Sequence, residues 1–73
     1  MLVFSQDRKS VLDADTIQIQ KNISGKEAKY IISASAGARG AVVMGQYLEE
    51  KDAADALEKV FDAFAGGAAA YKF

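Results

Sequence analysis

Apolar and polar side chains alternate through residues 17–23, with Ile17, Ile19 and Ile23 on one parity and Gln18, Gln20 and Asn22 on the other. That is the period of a strand with one wetted face. Residues 29–36 repeat it: Tyr30, Ile32, Ala34 and Ala36 stand against Lys29, Ser33 and Ser35, and only Ile31 breaks the pattern. Ser24-Gly25-Lys26-Glu27 lies between the two and reads as a hairpin connection, because Gly takes the positive φ such turns need. Its Ser24-x-x-Glu27 spacing matches a helix capping box, but the residues after it keep period two, so no helix is expected there. Gly37-Ala38-Arg39-Gly40 makes the next turn and leads into a third antiparallel strand over residues 41–47.

The first sixteen residues predict another hairpin, with Leu2, Val3 and Phe4 going out, a polar turn over residues 6–10, and Val11-Leu12 returning. After Tyr47 the period changes to 3.6. Leu57, Val60, Phe61 and Phe64 fall on one helical stripe, while Asp52, Asp55, Glu58, Lys59 and Asp62 lie off it. Asp55 and Lys59 have the favoured acidic-before-basic order at i, i+4. Gly66-Gly67 ends the helix. Residues 68–73 then form an apolar tail ending Tyr71-Lys72-Phe73, which pairs as a short terminal strand or stays loose. The expected fold is α+β: an antiparallel sheet of four to five strands, covered on one face by a single helix in the C-terminal half. Leu2, Ile17, Tyr30 and Val43 would meet Leu57, Phe61 and Phe64 in a small core.

Length and composition limit what such a fold can be. A chain of 73 residues and 7.8 kDa allows one small domain, residues 1–73, and its hydrophobic share of 51% argues against a disordered tail. There is no Cys to staple it, so stability must come from packing, helped by association. Without His or Cys there is no Ser-His-Asp or Cys-His nucleophile and no thiolate or imidazole zinc site. The opening Met1-Leu2-Val3-Phe4 is followed directly by polar residues, too short an apolar run for a signal or membrane segment. A cytoplasmic, soluble protein with no membrane partner is expected.

Formal net charge is −1, spread unevenly. Residues 1–40 carry six positive charges (Arg8, Lys9, Lys21, Lys26, Lys29 and Arg39) against four negative ones, and residues 41–73 carry three against six. The basic half points to nucleic acid weakly, and Tyr30, Tyr47 and Tyr71 with the four Phe would make a base-stacking platform only if exposed on a basic face, whereas most fall on the core parity or the helix stripe. Asp13-Ala14-Asp15 is the one close carboxylate pair in a predicted loop. Calcium takes six or more oxygens, and nothing nearby supplies the rest, so turn chemistry explains the pair better. The glycines around Arg39 precede a strand rather than a helix, which makes a hairpin turn and not a phosphate-binding loop.

Ser5-Gln6-Asp7, Gly45-Gln46-Tyr47, a helix over residues 53–64 and a late Tyr71 together carry a resemblance. The chain resembles a loose group of very short, uncharacterised proteins of Gram-positive bacteria and their phages, which open with an apolar-Ser-Gln-Asp strand and run through a meander into one helix. Leu48 and Glu49 stand where those proteins place Ser or Thr at the helix start. The group implies a β-meander with one helix and brings no activity with it.

These readings lead to a non-enzymatic domain that works by protein contact, as a homo-oligomer or as an accessory subunit. No catalytic, cofactor or metal-binding residue is expected, and no small-molecule substrate. The interface candidates are Arg39 at the tip of its turn and the tail aromatics Tyr71 and Phe73, which are costly to leave in water. The alternative is weak nucleic-acid binding through the basic half.

Overall fold

A computed structural model describes residues 1–22, 28–38 and 40–73. The Ser24-Gly25-Lys26-Glu27 connection and Arg39 therefore lie outside the described residues. The fold is α+β, in the order β1 (Leu2–Phe4), β2 (Val11–Asp13), β3 (Thr16–Lys21), β4 (Tyr30–Ser35), β5 (Val42–Tyr47), α1 (Glu50–Ala65) and β6 (Ala70–Lys72). Its strands divide between two three-stranded sheets, β2-β1-β6 and β3-β4-β5, in place of the one sheet of four to five strands that the pattern predicts. The chain changes sheet at Ala14 and Asp15. The Ala14 N–H donates to the Met1 carbonyl at 2.9 Å and the Asp15 N–H to the Ser35 carbonyl at 3.0 Å, so two adjacent residues bond to different sheets.

The β3-β4-β5 meander follows the alternation. Ile17 pairs with Ala34, Ile19 with Ile32, and Tyr30 with Tyr47, which places these side chains on one face. Gln18, Gln20 and Ser33 share the other, where the Ser33 hydroxyl donates to Gln20 Oε1 at 3.1 Å. The β4-β5 ladder is interrupted once. Ile32 pairs with Gly45 and Ser33 with Val43, which leaves Met44 as the extra residue of a β-bulge. A Cβ on Gly45 would sit 2.7 Å from Tyr47 Oη and 2.9 Å from its Cε2, so the ring lies directly over a glycine.

Val3, Ile32, Ala34, Met44 and Ala53 form the buried cluster, drawn from both sheets and the helix. It departs from the expected core. Leu2 is 47% exposed, Val43 42%, Phe61 68% and Phe64 65%. The apolar stripe of α1 is real but turned: Ala53 and Val60 are its buried residues, Ala56, Leu57 and Ala63 are half-buried, and the two phenylalanines stand at its margin. Small side chains at the centre let the helix axis come close to the sheet, and this closeness excludes the large rings. β1 and β2 form the expected hairpin, whose inward residue Val3 is fully buried.

Both helix ends depend on their local sequence. Glu49 is the N-cap residue, with φ −121° and ψ 145°, and it makes no side-chain cap hydrogen bond. At the other end the Gly67 N–H donates to the Phe64 carbonyl and the Ala68 N–H to the Ala63 carbonyl, both at 2.9 Å, a Schellman arrangement. Gly67, at φ 86°, is the residue that makes it possible. The tail then pairs as a strand. β6 runs parallel to β1, with Val3 opposite Tyr71, and the Phe73 N–H donates to the Phe4 carbonyl at 3.0 Å.

Two measurements check this packing. Ile32→Ala should cost about 2–5 kcal/mol in urea unfolding, whereas Phe61→Ala, compared with its parent at a dilution where both are monomeric, should change stability by no more than about 0.5 kcal/mol; equal costs would restore Phe61 to the core. Glu49→Ser should add about 1 kcal/mol by supplying the missing cap, read as a higher unfolding midpoint at an unchanged slope.

Candidate functional site

The stripe rotation leaves a groove between α1 and the start of β3. Leu57, Phe61 and Phe64 form its helical wall, Ala14 and Ile17 form the sheet wall, and Val60 closes the floor. Its volume is about 620 Å³. The lining is mainly apolar, with Met1 and Asp15 at its sheet side. The Asp15 carboxylate stands on the sheet side of the rim, where its Oδ2 accepts the Gly37 N–H at 2.8 Å. Gly37 has φ 58°, and this carboxylate holds the turn after β4, 22 residues away, rather than the local turn before Thr16 that the sequence suggested.

Charge around the helical wall is acidic. Glu58 lies three residues before Phe61 and Asp62 directly after it, Glu50 and Asp52 occupy the first turn, and the last turn holds no basic residue. The negative end of the helix dipole thus stands uncompensated beside the exposed rings. The titratable residues bordering the groove are Asp15 and Met1, whose ammonium is ion-paired with Asp13 at 3.0 Å, and the rest of the surface is exposed hydrophobic area.

A second apolar face is smaller. Leu2, Phe4 and Val11 point outward from the β2-β1-β6 sheet, and Lys72 Nζ lies 5.8 Å from the centre of the Phe4 ring. The lysine partly covers that face, a cation over an aromatic ring.

Of the interface candidates, Tyr71 and Phe73 are brought together. Arg39 lies outside the described residues. Tyr71 and Phe73 are half-buried, their rings edge-to-face at 5.0 Å and packed against the molecule's own core. The tail aromatics therefore spend much of their surface within the fold, as residues of an added strand. Of the basic residues, Arg8 and Lys9 sit in the β1–β2 turn, while Lys21 ends β3 and Lys29 precedes β4. Sequence reasoning overlooked Phe61 and Phe64 as surface because it assigned the whole stripe to the core. The signal was present in Ala53, Ala56, Val60 and Ala63, a parallel stripe of small residues better shaped for close contact with a sheet.

Among the described residues, two groups titrate away from their usual range. Asp7 is held below the ordinary carboxylate value, first by the Ser5 hydroxyl, which donates to Oδ1 at 2.6 Å, and then by the Lys9 N–H at 3.0 Å. Burial raises the Tyr47 hydroxyl, with the neighbouring Tyr71 adding to it. Ser5 itself is buried and accepts the Ser10 N–H at 3.0 Å, so this small network closes the β1–β2 turn. It also accommodates Arg8 at φ 65°, a conformation that non-glycine residues seldom adopt.

The chain matches no protein-family model, no curated protein and no solved structure. No helix among the described residues is long and apolar enough to cross a membrane.

The depressed Asp7 pKa fixes a sign. Its contribution to stability is present above the unfolded carboxylate value of 3.8 and is lost as pH falls through the lower folded value. Asp7→Asn should therefore lower the midpoint at neutral pH and reduce the difference between variant and parent in strong acid. An acid limb identical in both proteins would remove this role.

Proposed function

We propose that this domain acts through protein contact rather than catalysis, as a homo-oligomer or as an accessory subunit, and that the α1–β3 groove is its contact surface. One observation carries the reading. Phe61 and Phe64, 68% and 65% exposed, stand together on an ordered helix beside a groove with mainly apolar walls. Leaving two such rings in water forgoes about 1.5–3 kcal/mol each relative to burial, in a domain too small to spare it lightly. Contiguous exposed apolar surface of this kind marks interaction sites in soluble proteins, and aromatic rings dominate the energetics of those sites. The lack of His and Cys in the sequence and the mainly apolar walls fit docking better than chemistry.

Affinity capture with the intact chain from a native lysate, run beside Phe61→Ser/Phe64→Ser, tests the reading. Both positions are exposed, so the variant should keep its circular dichroism. A stoichiometric companion, either another protein or further copies of the chain, should be retained by the parent and lost with the variant. Identical recoveries from both, with the fold intact, would overturn the assignment of this groove.

A further inference from the structure

β3 is an edge strand. β4 lies along one side of it, and among the described residues no strand lies along the other. The Asn22 N–H donates to the Lys29 carbonyl, so in this antiparallel ladder the even-numbered residues of β3 bond inward to β4. The backbone groups of Ile17, Ile19 and Lys21 therefore face outward. Among the described residues the strand carries no proline and no bulge over residues 16–21, and its one charge is Lys21 at the end. Its open edge adjoins the groove, because Ile17 forms part of the sheet wall.

Resting on the protein-contact reading above, we infer that a second copy of this chain occupies the edge and the groove together, with β3 pairing antiparallel to its twin about a two-fold axis through Gln18. The register follows from self-complementarity. It sets Ile17 opposite Ile19 of the twin on the helix side and Thr16 opposite Gln20 on the far side. Gln18 meets itself, and Lys21 comes beside Asp15, whose N–H bonds inward to Ser35, so the ladder ends there with opposite charges near each other. A shift of two residues would put Lys21 against Ile17 instead. Met1, hydrogen-bonded alongside Ala14, marks where the pairing stops.

The helix geometry agrees. A two-fold axis normal to the sheet puts both helices on one face. Since α1 packs evenly across β3, β4 and β5, its axis lies over β4. The two β4 strands would be three strand spacings apart, about 14 Å, whereas bare helix contact needs about 8–10 Å. Large side chains are required in that gap, and Leu57, Phe61 and Phe64 are the ones on the β3 side of the helix. The four rings would supply about 500 Å² of buried surface, and the paired edges bring the total within reach of the roughly 1,200 Å² of a specific interface.

The absence of cysteine makes the test clean. Residues that face their own copy in a non-hydrogen-bonded pair have Cα atoms about 4.5 Å apart, within disulfide range. Light scattering on the purified chain should give twice the 7.8 kDa mass. Gln18→Cys should cross-link to a covalent dimer under mild oxidation while Gln20→Cys does not, and Phe61→Asp/Phe64→Asp should weaken association at least tenfold with its circular dichroism retained. A monomer at concentrations up to about 1 mM, or a dimer cross-linked through Gln20→Cys in place of Gln18→Cys, overturns the inference. In the monomer case the contact reading survives if lysate capture still depends on Phe61 and Phe64, so the two failures are distinguishable.

Discussion

The bulge at Met44 is the point on which the two sheets depend. The extra residue has no partner on β4, so its backbone is free to bond elsewhere. The Gln6 N–H donates to the Met44 carbonyl at 2.6 Å, and Gln6 Oε1 accepts the Gln46 N–H at 3.0 Å. One glutamine after β1 thus clasps β5 from both sides of the irregularity. The same bulge turns the Met44 side chain inward, where it meets Val3 from the first sheet and Ala53 from the helix. β5 is an edge of its sheet, and Gln6 takes up groups that face away from β4; without Gln6 that link between the sheets is lost. The N-terminal hairpin would then be joined to the rest mainly through Ala14, Asp15 and its apolar contacts.

This arrangement explains why so small a chain can order its tail. Val3 is fully buried because β2 and β6 flank β1 on its two sides. β6 can pair parallel to β1 because α1 intervenes between β5 and β6 and carries the chain back, the usual need of a parallel connection. The Schellman turn at Gly67 redirects it over a few residues. Tyr71 and Phe73 then pack from outside onto the cluster that Met44 and Val3 begin. Each step uses local geometry set by one or two residues, and the hydrophobic cluster makes them cooperate.

Much of this was legible in the sequence. Period-two alternation located β3 and β4, the change to period 3.6 located α1, and the double glycine marked its end, because each signal reflects a backbone constraint that acts locally. The division into two sheets was not legible, since it turns on whether Ala14 and Asp15 bond to the same neighbour, a fact of tertiary contact. The bulge was equally silent: residues 41–47 read as a regular strand, and only the pairing shows that Met44 is supernumerary. The candidate surface was missed for a related reason. A helical stripe fixes which residues share a side of the helix, but not the depth to which each is buried.

Depth follows from size. Within the apolar sector of α1, alanines occupy the positions nearest the strands and phenylalanines the margin toward β3, an order opposite to the one that would maximise burial within a single copy. A helix meant only to cover its own sheet gains most by placing its largest side chains at the centre, where they exclude the most water. Here the centre is small and the margin is large, so the fold gives up internal burial at the position where an open strand edge also lies. Two unsatisfied surfaces, one of backbone hydrogen-bonding groups and one of aromatic rings, share a border at Ile17. An interaction that covers either will approach the other, and the packing of α1 thereby determines where contact with a partner can be made.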